Sequence, residues 1–160
     1  METKITDEMN LYPELVKLHL HAKNDVDALQ QIGELLLHEN KVKDSYIPAV
    51  LRREEEYPTG LLCDGIGLAI PHTDAEHVKE QTIAIGVLDK PVKFKHMGYS
   101  GLSVEVSLVF MMAIKDVHKQ VAFLQALMSA FQNTQQLKKM LNRKTQKEVI
   151  EIFVSTLENK

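Results

Sequence analysis

The chain has 160 residues, enough for one domain of ordinary size with a core of its own. Its 19 basic and 22 acidic side chains nearly cancel to −3, so neither a basic stripe for nucleic acid nor an acidic disordered tail is expected. The single cysteine, Cys63, excludes an internal disulfide and a cysteine-based zinc cage; with no signal-peptide core and no apolar run near the ~20 residues of a membrane span, a soluble cytoplasmic protein is predicted.

No repeat or linker composition divides the sequence, so residues 1–160 are expected to form one domain, with residues 1–10 frayed. Leu15, Leu18 and Leu20 suggest a short strand or a turn of helix. Asn24 is a candidate N-cap, followed by Asp25 and Asp27 where the helix dipole favours acids. Val26, Leu29, Ile32, Leu35 and Leu36 mark one face of that helix, which ends near Asn40. A second helix is expected to be capped by Asp44 and to bury Tyr46, Ile47, Val50 and Leu51, with Pro48 tolerated in its first turn. Pro58 stops it. Glu54, Glu55 and Glu56 then fall in its last turns, where acids oppose the dipole, a local conflict that marks a working site or a tight turn.

Ile66 to Ile70 reads as a buried strand ended by Pro71, which has no N–H for a central ladder. Thr82 to Leu88 is a further strand, Asp89-Lys90-Pro91 a turn, and Val92 to Phe94 a short returning strand. After a loop from His96 to Gly101, Val104 to Met112 is the longest apolar run and the expected central strand. Asp116 should cap a helix with core stripe Val117, Val121, Leu124, Leu127 and Phe131. A shorter helix covers Thr134 to Leu141. Thr145 and Glu148 form a capping box for a last helix burying Val149, Ile150, Phe153 and Leu157. Interleaved strands and helices imply an α/β layered sandwich, a mixed sheet flanked by helices.

Chemistry concentrates at the end of the Ile66–Ile70 strand, where His72 stands just past Pro71 and Thr73 and Asp74 can pin the turn. His118 also follows a strand and would sit in the first turn of the helix capped by Asp116, where unpaired N–H groups favour an anion. If the two strands are neighbours, both imidazoles reach one sheet edge and a phosphoryl group could rest on one of them. The alternative is two unrelated histidines satisfied by backbone bonds. His72, Asp74 and His77 could instead form a small metal-dependent hydrolase site, although the spacing is no strong zinc signature. His19, His21, His38 and His96 read as ordinary surface residues, and Cys63 as a buried small side chain. Lys138, Lys139, Arg143, Lys144 and Lys147 read as a solvated face.

Leu51-Arg52-Arg53-Glu54, Tyr57-Pro58-Thr59-Gly60 and Ile66-Gly67-Leu68-Ala69-Ile70-Pro71-His72-Thr73 together resemble a known signature. It is that of the IIA domains of the bacterial phosphoenolpyruvate-dependent sugar phosphotransferase system (PTS), fructose–mannitol superfamily (EIIA type 2), most like the galactitol-type branch. The resemblance runs from about Asp25 to Leu157 and implies a sheet of about five strands. It implies that His72 is the phosphorylated histidine, taking the phosphoryl group from phospho-HPr and passing it to a cysteine of a cognate IIB protein, which serves a membrane IIC. It matches Arg53 to the arginine that steadies the phosphoryl oxygens, and His118 to the assisting second histidine of mannitol-type members. Leu61, Leu62, Leu68 and Ile70 are expected to form an apolar docking surface around the site. A regulatory module of the same fold, phosphorylated but signalling by protein binding, is the nearest rival.

Overall fold

The computed structural model describes residues 10–99 and 101–158. The fraying expected for residues 1–9 lies outside them, whereas Asn10 is held: it bridges to Thr82, whose hydroxyl donates to the Asn10 carbonyl. After a single 3₁₀ turn, Pro13–Leu15, come β1 (Val16–Leu20), α1 (Asp25–His38), α2 (Tyr46–Glu56), β2 (Leu61–Cys63), β3 (Ile66–Ala69), β4 (Thr82–Lys95) and β5 (Ser103–Ala113). Three helices follow: α3 (Val117–Ala130), α4 (Thr134–Leu141) and α5 (Gln146–Glu158). The strands form one five-stranded mixed sheet in the order β1-β4-β5-β3-β2, parallel at β1/β4 and β3/β5 and antiparallel at β4/β5 and β2/β3.

The central strand β5 alternates Val104, Val106 and then an unbroken buried run to Ala113, because helices cover both faces of the sheet there. One core holds Leu29, Ile32, Leu36, Tyr46 and Val50 of α1 and α2 against Ala69, Ala84, Val109 and Met111. The other holds Phe123, Leu127, Phe131, Leu137, Val149 and Phe153 of α3 to α5 against Leu68, Ile83, Ile85, Leu108 and Phe110. In that second core Phe110 packs on the rings of Phe131 and Phe153 at centroid distances of 5.2 and 5.5 Å.

Several local expectations are corrected. Thr82–Leu88 and Val92–Phe94 are one strand, since both stretches pair with β5. Between Val87↔Leu108 and Val92↔Val106 the residues Leu88 to Pro91 face Ser107 alone, so Asp89, Lys90 and Pro91 bulge out and the proline's missing N–H costs no ladder bond. In α3, Val117 and Val121 are 62% and 55% exposed, and Phe123 takes the core position instead. At ~100° per residue Val121 lies about 200° from Phe123, on the opposite face. Val26 of α1 is likewise exposed, with Ala28 buried in its place. The α2 N-cap is Ser45 rather than Asp44, and it makes no side-chain cap bond: its hydroxyl is taken by His77 Nδ1 (2.7 Å). Asn24, Asp116 and the Thr145–Glu148 box cap α1, α3 and α5 as expected.

Strand β2 has no counterpart in the pattern reading. Its signal is Asp64-Gly65, a two-residue hairpin link to β3 in which both residues have positive φ (49° and 85°).

Candidate functional site

The carboxyl ends of β3 and β5 lie side by side, with Leu68 opposite Leu108 and Ala69 opposite Val109, and the Met112 N–H continues the ladder by donating to the Pro71 carbonyl (3.0 Å). The neighbouring strands that the sequence left open are therefore real. Proline donates nothing back, so the chain leaves the sheet at this point and His72 is the first residue free of it. Its half-buried ring turns back on the strand, Nδ1 lying 2.8 Å from the Ile70 carbonyl oxygen. A carbonyl only accepts, so Nδ1 carries the proton and Nε2 keeps the lone pair of the neutral imidazole. Nε2 makes no hydrogen bond to the described residues.

Electrostatics keep that lone pair free. Burial lowers the His72 pKa below its ordinary value; the Ile70 carbonyl opposes the shift, Arg53 adds to it and Asp74 opposes it. Protonation thus belongs to pH below the usual imidazole range, near about 6.5. Any reaction that uses this nitrogen as a nucleophile should hold its rate through neutrality and decline only on the acid side. Rates measured across pH 5 to 8 check this, and a decline that starts above pH 7 would contradict it.

Arg53 enters from the last turn of α2, its guanidinium carbon 5.3 Å from the centre of the Tyr57 ring. Among the described residues no carboxylate lies within ion-pair distance of it, and its field is felt at His72. A half-buried guanidinium with no ion pair among the described residues, its charge felt at the imidazole, suits an oxyanion.

The next residue, Glu54, is turned inward and only 7% exposed. Its carboxylate accepts the Thr59 N–H at Oε2 (2.7 Å) and the Thr59 hydroxyl at Oε1 (2.9 Å). The same hydroxyl accepts the Ile70 N–H (3.0 Å). Burial pushes the Glu54 carboxyl up to about 7, against the two Thr59 bonds and Arg53 and with the help of Asp25. Of the acidic run after Arg53, Glu54 is thus buried against the turn that follows the helix, while Glu55 and Glu56 face water.

His118 lies in the first turn of α3, close to the His72 loop, since Gln120 of the same helix donates through Nε2 to the Thr73 carbonyl (3.4 Å). Its ring is exposed and makes no bond to His72. The anion site expected at this helix end is already filled: the Asp116 carboxylate accepts the N–H groups of His118 (2.9 Å) and Lys119 (3.3 Å). Of the apolar surface expected around the site, Leu68 and Ile70 are buried in the sheet at 0% and 1% exposure. Leu62 is exposed and Leu61 half-buried, and the exposed Val117 and Val121 of α3 add apolar surface that the pattern assigned to the core.

The metal-site alternative finds no support in the geometry. Among the described residues no three His, Cys, Asp or Glu side chains converge, and His77 points to Ser45 and Glu76. His19, His21 and His38 are exposed; His96 organises its own loop by accepting the N–H groups of Gly98 and Tyr99. Cys63, half-buried in β2, has its thiol pKa raised by burial, which keeps it a thiol rather than a thiolate. No helix among the described residues is long and apolar enough to cross a membrane.

Known proteins share this sequence pattern and fold. The transcriptional regulator ManR of Bacillus subtilis is 28% identical over 149 residues, 93% of this chain but 21% of ManR, so the chain spans about a fifth of that relative. The galactitol-specific EIIA component of Escherichia coli (strain K12) is 30% identical over 106 residues, 66% of this chain and 70% of its own length. In the solved complex of Escherichia coli enzyme IIA of the mannitol system with phosphorylated enzyme IIB, a superposition gives a TM-score of 0.73 at 22% identity, covering 92% of this chain and 99% of that one, a likeness of fold. Residues 9–155 match the family model described as phosphoenolpyruvate-dependent sugar phosphotransferase system, EIIA 2, and the chain belongs to that family.

Proposed function

We propose that the chain is a sugar-specific IIA phosphocarrier. His72 Nε2 attacks the phosphorus of phospho-HPr; the new N–P bond forms as the donor's N–P bond breaks, and the donor imidazole leaves with the electron pair. A cysteine thiolate of a cognate IIB protein then attacks the same phosphorus, an S–P bond replaces N–P, and Nε2 recovers its lone pair. Membrane IIC takes part only through IIB. Arg53 neutralises the phosphoryl oxygens, and His118 assists from α3 by swinging its exposed ring towards them. A galactitol-like polyol or related sugar fits the galactitol-specific relatives, and such a relay works in the cytoplasm.

The observation that carries this reading is the His72 ring, tied through Nδ1 to the Ile70 carbonyl, with Nε2 unbonded among the described residues and the Arg53 charge felt at the ring. Phosphoryl transfer needs little else from a protein than a positioned nucleophile and compensating charge. The test is incubation with phosphoenolpyruvate, enzyme I and HPr, then mapping of the acid-labile phosphate. Label on His72 supports the reading; no label, or label elsewhere, overturns it.

Arg53→Ala should slow labelling by about a hundred- to a thousandfold, since one donor at a developing oxyanion is worth about 2.7–4 kcal/mol. His118→Ala should cost less than about tenfold, its ring being exposed and unbonded to His72. Quench-flow rates would check both, and equal losses would mean that His118 belongs to the core of the site.

A second reading, a regulatory module phosphorylated in the same way but signalling by protein contact, is favoured by ManR, within which 93% of this chain finds its match. Passage of label onto a IIB cysteine separates the two.

A further inference from the structure

The His72 ring is not held by its own segment alone. Its Nδ1–H is anchored on the Ile70 carbonyl (2.8 Å), and the Ile70 N–H is anchored on the Thr59 hydroxyl (3.0 Å). Thr59 is gripped through both hydroxyl and N–H by Glu54 (2.9 and 2.7 Å), the residue after Arg53 on α2. Every link is a bond between named atoms, and Glu54, Thr59 and Ile70 are buried at 7%, 7% and 1% exposure. Ile70 lies just past β3, where Ala69 is the last residue paired to β5, and its N–H goes instead to the threonine.

We propose that Glu54 and Thr59 are positioning residues for His72: they lock the end of the helix bearing Arg53 to the end of the strand bearing the imidazole, and so fix the ring's tautomer and its distance from the guanidinium. This rests on His72 as the phosphoryl acceptor. Neither residue touches the reacting atoms. A carboxylate suits the task because it accepts two donors from one residue in fixed directions, and burial strengthens both bonds. Threonine suits it because its hydroxyl donates to the acid and accepts from the strand at once.

Thr59→Val keeps the shape and removes the hydroxyl, leaving the Ile70 N–H without its acceptor. Two readouts decide. The first, independent of any phosphoryl chemistry, is the ¹⁵N spectrum of the His72 ring in the unphosphorylated protein. Wild type should show the Nδ1–H form, and Thr59→Val a mixture of tautomers. The second is the labelling rate against phospho-HPr concentration. The maximal rate should fall by about ten- to a hundredfold, the effect of small misplacement of a reacting group, with the half-saturating concentration unchanged. Thr59→Ser, which restores the hydroxyl, should return both readouts towards wild type.

A folded Thr59→Val protein with wild-type tautomer and rate overturns the proposal, as does a Thr59→Ser protein as impaired as Thr59→Val. Should Thr59→Val not fold, Glu54→Gln, which keeps one acceptor of two, is judged by the same readouts. A change in tautomer without any labelling of wild type would uphold the positioning role and sink only the phosphocarrier reading.

Discussion

His72→Ala protein incubated with phosphoenolpyruvate, enzyme I and HPr is expected to take up no phosphate at all, with labelling below about a thousandth of wild type. The reason is chemical rather than steric: the substitution removes the only nitrogen of that ring available as a nucleophile, and the exposed His118 ring makes no bond that would bring it to the same place. The fold should survive. What is lost structurally is one hydrogen bond to the Ile70 carbonyl, worth about 1 kcal/mol against a total stability of about 5–15 kcal/mol. A fall in Tm of about 2–4 °C is the corresponding expectation for a chain of this size. Retained label in a folded variant would end the phosphocarrier reading.

The largest expected effect on stability lies five residues earlier. Gly67 sits in β3 between β2 and β5, and a Cβ added there would stand 1.8 Å from the Glu105 carbonyl oxygen and 2.6 Å from its carbon. These are backbone atoms of the central strand, which cannot move without breaking the β3/β5 or β4/β5 ladder. Ordinary overpacking costs about 1–3 kcal/mol because side chains yield. Here nothing yields, so Gly67→Ala should cost more than about 3 kcal/mol and leave much of the chain unfolded or β3 displaced. Urea denaturation of the variant checks this, and a midpoint within error of wild type would show that the approach of the two strands is looser than described. By contrast Gly65, with open space around it, owes its identity to its positive φ of 85° in the hairpin turn.

Much of the architecture was legible because strong periodic signals agreed with their ends. The capped helix after Asn24 and the apolar run of β5 were read where they stand, since local propensity and burial coincide there. The misreadings share one cause. Val26, Val117 and Val121 are apolar at plausible helical spacing, yet whether a valine faces core or solvent depends on which side of its helix meets the sheet. Asp89-Lys90-Pro91 has the composition of a turn, and only the pairing of both flanks with β5 makes it a bulge. At the site, the place of His72 past the strand end was legible from Pro71, and Arg53 was found by resemblance. The run Glu54 to Glu56 stood out against the helix dipole, but which of the three turns inward, and that Thr59 holds it, was not legible, because a buried acid looks like any other glutamate until its hydrogen bonds are drawn.

By itself the amino-acid order determined the alternation of strands and helices, the break at Pro71 and the family signature around His72, all of them properties of short stretches. Tertiary structure alone decided which strands are neighbours, which nitrogen of His72 keeps its lone pair, and which acid turns inward. The strand neighbours meet across distant stretches, Pro71 with Met112, while the contacts of His72 with Ile70 and of Glu54 with Thr59 are short in sequence but take their geometry from the Thr59–Ile70 bond and from packing two helical layers against one sheet.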